Sequence, residues 1–186
     1  MNFRKRLQPR QCCLYVIDPQ ERLMAHIHEA RRVISNIELM IRLADTLDFP
    51  VIANTQYTQG IGPIVEELVP LLADWPCIDK VEFNGLDNPA VRSMLGKLPA
   101  TADTLLLCGV ESHICVYQTA IGAMQVGYDV VVVADAVSSR TPENDAYGRQ
   151  RLQEIGAVVV PAELIIYELL QKAGTPAFKA MLPYLK

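Results

Sequence analysis

Short apolar runs alternate along this chain with longer amphipathic stretches. The runs fall at residues 12–17, 51–55, 77–81, 104–109, 129–134 and 157–160. Several are continuously apolar and β-branched, as in Val130-Val131-Val132-Val133-Ala134. A strand covered on both faces reads this way, because neither side of the pleat meets water. Between the runs, residues 27–47 repeat Ile, Val and Leu at spacings of three and four, which predicts an amphipathic helix. Residues 88–98, 112–126, 143–155 and 162–173 follow the same period. Gly127 and Gly156 stand where helix C-caps belong, and Asn88-Pro89 reads as an N-cap followed by proline at the first helical position.

Strand and helix alternate six times, which predicts an α/β fold: a three-layer α/β/α domain around a six-stranded, mostly parallel, doubly wound sheet. At 186 residues the chain is read as one domain, residues 1–186. Ligands of such sheets bind at the carboxyl ends of the strands. Asp18 ends the first run, residues 54–56 end the second, Lys80 lies at the end of the third, and residues 109–115 follow the fourth. Four polar or reactive clusters therefore converge on one rim.

Composition narrows the function classes. Hydrophobic residues at 51% against 20% charged exclude a disordered chain. A net charge of -4 leaves no electrostatic footprint for nucleic acid; a small-molecule substrate is compatible with it, but charge does not demand one. No run approaches the roughly 20 apolar residues of a membrane span. The basic segment 1–10 precedes an apolar run too short for a secretory signal, so a cytoplasmic protein is expected. The five cysteines are odd in number and not spaced as a zinc site, which suits free thiols in a reducing compartment.

Cys115 sits where a buried strand gives way to a helix. Free N–H groups and the partial positive charge of a helix start favour a thiolate, and could also form an oxyanion hole. The same pattern fits a buried structural cysteine. Asp18, followed by Pro19, is either a loop-initiating residue or a general acid and base poised over the thiol. Lys80 alone reads as a solvated lysine; beside a carboxylate and a thiol, its ammonium would hold both as anions.

The motifs V-I-D-P-Q at 16–20, T-Q at 55–56, I-D-K-V-E-F at 78–83, G-V-E-S-H-I-C-V-Y-Q-T-A at 109–120 and V-V-V-A-D-A-V-S-S-R at 131–140 resemble, in order, the isochorismatase-like hydrolases. The resemblance implies an Asp18, Lys80 and Cys115 catalytic triad. Cys115 would attack a carbonyl carbon, usually of an amide, and Asp18 would carry the proton to the leaving amine. It also implies a cis peptide between Val110 and Glu111, with the N–H groups of Ile114 and Cys115 directed at the oxyanion. Gln20, Gln56, Tyr57 and Phe83 are candidates for substrate contact; the two glutamines read equally as supports for loop backbone, and the aromatic rings as core or interface. Nicotinamidases of this superfamily bind a metal through histidines after the second strand, whereas residues 54–63 here contain none. No metal and no cofactor are therefore expected. Isochorismatases proper lack the cysteine, so vinyl-ether cleavage is not expected either. The family implies a homo-oligomer, and the apolar tail 172–185 suits packing against something. The competing expectation is a non-catalytic relative acting as a binding or assembly protein.

Overall fold

In the computed structural model, residues 6–185 are described, so half of the basic N-terminal segment lies outside the described residues. Six strands form one all-parallel sheet: β1 (Cys12–Ile17), β2 (Val51–Gln56), β3 (Cys77–Lys80), β4 (Thr104–Val110), β5 (Asp129–Ser138) and β6 (Val158–Val160). Their order across the sheet is β3-β2-β1-β4-β5-β6. The connection reverses direction between β1 and β4, so the switch point lies beside the ends of those two strands.

Alternation at period two divides each central strand between two cores. Leu14 and Val16 of β1, Leu106 and Cys108 of β4, and Val131 and Val133 of β5 face one helical layer. Cys13, Tyr15 and Ile17, Leu105 and Leu107, and Val130 and Val132 face the other. Helix α1 (Ala30–Leu47) covers the first face with fully buried Val33, Ile37, Met40, Ile41 and Ala44. Burial of each larger side chain contributes roughly 1.5–3 kcal/mol. Helices α2 (Pro89–Leu95), α3 (Tyr117–Gln125) and α4 (Pro142–Glu154) supply Val91, Ala120 and Leu152 to the second. Helices α5 (Ala162–Leu170) and α6 (Pro176–Met181) return to the first.

Several boundaries differ from the sequence reading: α2 ends at Leu95 and α5 at Leu170, short of the expected residues 98 and 173. Helix α1 starts at residue 30, not 27, because the backbone of His28 is engaged elsewhere. His28 N–H donates to the Ser139 carbonyl at 2.9 Å, and the Ser138 hydroxyl donates to the His28 carbonyl at 2.7 Å. Strand β5 runs on to Ser138 past a bulge, its pairing with β4 jumping from Leu107–Val132 to Gly109–Val137. The expected single helix over 112–126 divides into a π-helical turn, Ser112–Val116, and α3. The apolar tail packs on its own chain: Met181 is fully buried in the core that α1 covers. The caps read from the sequence are present. Asn88 accepts from the N–H groups of Ala90 and Val91, and Gly127 and Gly156 have φ of 97° and 98°.

Candidate active site

Asp18, Lys80 and Cys115 reach one point from three different elements. Asp18 ends β1 in the left-handed region, φ 51°. Its N–H donates to the Asn54 carbonyl at 3.1 Å. Lys80 closes β3, and its ammonium donates to Asp18 Oδ2 at 3.0 Å and to Gln56 Oε1 at 2.7 Å. It is 1% exposed, which overturns the solvated reading. A buried ammonium must be paired, and both partners here are acceptors. Asn54 Nδ2 donates to the other Asp18 oxygen, Oδ1.

Cys115 lies in the π turn, 6% exposed, with its thiol close enough to Asp18 to feel the carboxylate's charge. Burial pushes the thiol up to about 12, and the Asp18 charge adds to that while Lys80 opposes it. The expectation of a resting thiolate is thus corrected, because burial and a neighbouring anion outweigh the ammonium. Burial also raises Asp18 above its ordinary value, against the opposing pull of Lys80.

The Val110–Glu111 peptide is cis. The Ile114 N–H, expected to face an oxyanion, instead donates to the Glu111 carbonyl at 3.0 Å, as Val116 N–H does at 3.2 Å. That donor is occupied in this state. The Glu111 carboxylate is buried and accepts from both the N–H and Nε of Arg140, each at 3.1 Å.

Gly109 precedes this turn with φ 113°, and a Cβ there would overlap the Ile17 carbonyl oxygen. Only glycine lets β4 approach β1 so closely at the switch point.

The glutamines take the supporting role. Gln20 donates to the carbonyls of Gln56 at 3.1 Å and Gly62 at 2.7 Å, and accepts from the Gln56 N–H at 2.6 Å. Its amide is spent on backbone. Gln56 grips Lys80 and donates to the Val81 carbonyl at 2.8 Å. Tyr57 and Phe83 stay half exposed on the loops after β2 and β3, at 50% and 53%.

Several residues went unread in the sequence. Asn54 looked like strand. Ser139 Oγ lies 2.7 Å from Ser112 Oγ and 2.8 Å from His113 Nδ1, tying the end of β5 to the turn that carries Cys115. Gly148 lets α4 approach that turn, since a Cβ on it would lie 2.7 Å from the His113 nitrogen. Among the described residues, no three His, Cys, Asp or Glu side chains converge as a metal site would require.

The isochorismatase domain family's sequence model matches residues 12–163. A secreted isochorismatase effector, Isc1, of Phytophthora sojae is 35% identical over 184 residues, covering 97% of this chain and 87% of that protein. Among solved structures, the MAR1 ribonuclease from Caenorhabditis elegans superposes with a TM-score of 0.89 at 30% identity, covering 97% of this chain and 92% of that one. The YcaC product of Escherichia coli, described as an octameric hydrolase of unknown specificity, does so at 0.86 and 25% identity, covering 96% and 92%.

Proposed function

Because the chain belongs to the isochorismatase family, we propose that it is a metal-independent cysteine hydrolase. It acts as a single domain on a small amide-like C–N bond through a thioester. The observation that carries this reading is the fully buried Lys80–Asp18 pair with the Cys115 thiol beside it.

Burial and the Asp18 charge keep the Cys115 thiol protonated at neutral pH. The nucleophile is therefore made as it reacts, by proton transfer to Asp18. That transfer moves one negative charge from oxygen to sulfur beside the same Lys80 ammonium. The buried site keeps its net charge, so little new desolvation is incurred. Sulfur then bonds to the carbonyl carbon. The tetrahedral oxyanion collapses, Asp18 returns the proton to the leaving nitrogen, and an amine departs. Water, deprotonated by Asp18, cleaves the thioester to a carboxylic acid and restores the thiol. The Cys115 N–H is the oxyanion donor in this scheme, because Ile114 N–H is engaged.

Homo-oligomer formation is part of the reading, supported by the octamer described for the YcaC product. So is a reducing compartment, supported by five free cysteines, although one relative carries the name of a secreted effector. Among the described residues, no helix is long and apolar enough to cross a membrane.

The test compares wild type with Cys115→Ala for ammonia release from a panel of small primary amides. Release that depends on Cys115 supports the proposal. RNA is included in the panel, because one structural relative is named a ribonuclease. RNA cleavage without amide hydrolysis would overturn the C–N assignment, and no reaction with any substrate would favour the binding-protein alternative.

A further inference from the structure

Residues two apart on a strand share a face, and β2 presents two amides that way, Asn54 and Gln56. Each is turned to suit the charge it meets. Gln56 offers its carbonyl oxygen to the Lys80 ammonium. Asn54 offers its NH2 group to Asp18 Oδ1. The second orientation leaves Asn54 Oδ1 buried and without a partner among the described residues. A buried amide satisfied on one side only calls for a physical reason. Here the reason is the carboxylate, because the opposite rotamer would set carbonyl oxygen against carboxylate oxygen.

We infer that Asn54 is a positioning residue of the site: its amide fixes the Asp18 carboxylate and favours the ionised form that takes the Cys115 proton. This rests on the reading of Asp18 as the base. Other groups face Asp18 too. Lys80 on β3 and the Cys115 thiol favour the anion, while Asp79 on β3 opposes it. Tyr15 on β1 and Cys77 on β3 also feel the Asp18 charge. Asn54 adds a neutral donor from β2, on the oxygen that Lys80 does not hold. Removing one donor to a charged acceptor raises the pH at which Asp18 ionises, by about one unit.

The probe is acrylamide. Its adduct at Cys115 is followed by intact-protein mass spectrometry from pH 4 to pH 9, in wild type, Asn54→Leu and Asp18→Asn. The inference expects the acid limb of the rate profile to move up by about one pH unit in Asn54→Leu, with the plateau rate little changed. Asp18→Asn should lose both the limb and most of the rate. An unshifted limb in Asn54→Leu, with Asp18→Asn still impaired, overturns the inference and leaves the base assignment standing. Undiminished labelling in Asp18→Asn overturns both. If Asn54→Leu does not fold, Asn54→Ala deletes the same donor without added bulk and carries the same two outcomes.

Discussion

Lys80 Nζ stands 3.0 Å from Asp18 Oδ2, and neither side chain reaches solvent. Such a pair is weak evidence of net stabilisation, but removing one partner strands a buried charge, at roughly 3–5 kcal/mol. Lys80→Met should therefore lower unfolding free energy by that order. Asp18→Asn added to Lys80→Met should recover part of it, since the stranded carboxylate is gone. Urea unfolding of the four proteins closes the cycle, and strictly additive losses would show that the two groups are not coupled.

Alkaline pH should unfold this protein earlier than the surface charges suggest. Burial pushes the thiols of Cys12, Cys13 and Cys115 from the ordinary 9.0 to about 12. Below pH 9 they are protonated in folded and unfolded chains alike, and their contribution is fully present. Between pH 9 and about 12 the unfolded thiols release protons that the folded ones retain. Stability is then lost as pH rises, by up to about 1.4 kcal/mol per unit for each thiol. Urea midpoints measured from pH 8 to pH 11 should fall, and Cys13→Ala should flatten the slope. An unchanged slope would mean that Cys13 is not protected in the folded state.

The strands were legible because both faces of the sheet are covered, so apolarity alone marks Cys12–Ile17 and the first half of β2, residues 51–53. The extension of β5 was not, because Asp135 interrupts its apolar run. In the fold that residue is used from both ends: its carbonyl accepts from Arg32 and Asn36 of α1, and its carboxylate accepts the Ala162 N–H that opens α5. The convergence of Asp18, Lys80 and Cys115 was legible from strand ends and motif together. The ionisation of Cys115 was not, because a helix start suggests a low value, whereas depth in the core and the facing Asp18 decide otherwise. Nor was the role of Asn54, since a strand asparagine announces no partner until the register of β1 against β2 is known.

Glu111 adds to the upward push on the Cys115 thiol, after burial and Asp18. Glu111→Gln keeps an acceptor for the Arg140 N–H and Nε while deleting the charge. The alkaline rise of Cys115 alkylation should then begin at slightly lower pH, which iodoacetamide labelling between pH 8 and pH 11 would register. A later onset would contradict the direction assigned to the carboxylate.

Two glycines near Cys115 should respond differently to alanine. At Gly109 both conformation and space forbid a side chain: φ is 113°, and a Cβ would overlap backbone of β1. The left-handed strain costs of order 1–3 kcal/mol, with the overlap adding a similar amount. Gly109→Ala should give little folded protein or a strongly lowered melting temperature. Gly148 lies within α4, where alanine favours the helix by about 1 kcal/mol. The added methyl lies 2.7 Å from the His113 nitrogen and 2.8 Å from the Ser112 carbonyl carbon, both in the turn that carries Cys115. Helix propensity and backbone crowding therefore oppose each other, so global stability should change little while the turn is displaced. Thermal melting paired with Cys115 labelling separates the two effects. Gly148→Ala should melt near wild type yet label several-fold more slowly, and a wild-type labelling rate would show that α4 yields instead of the turn.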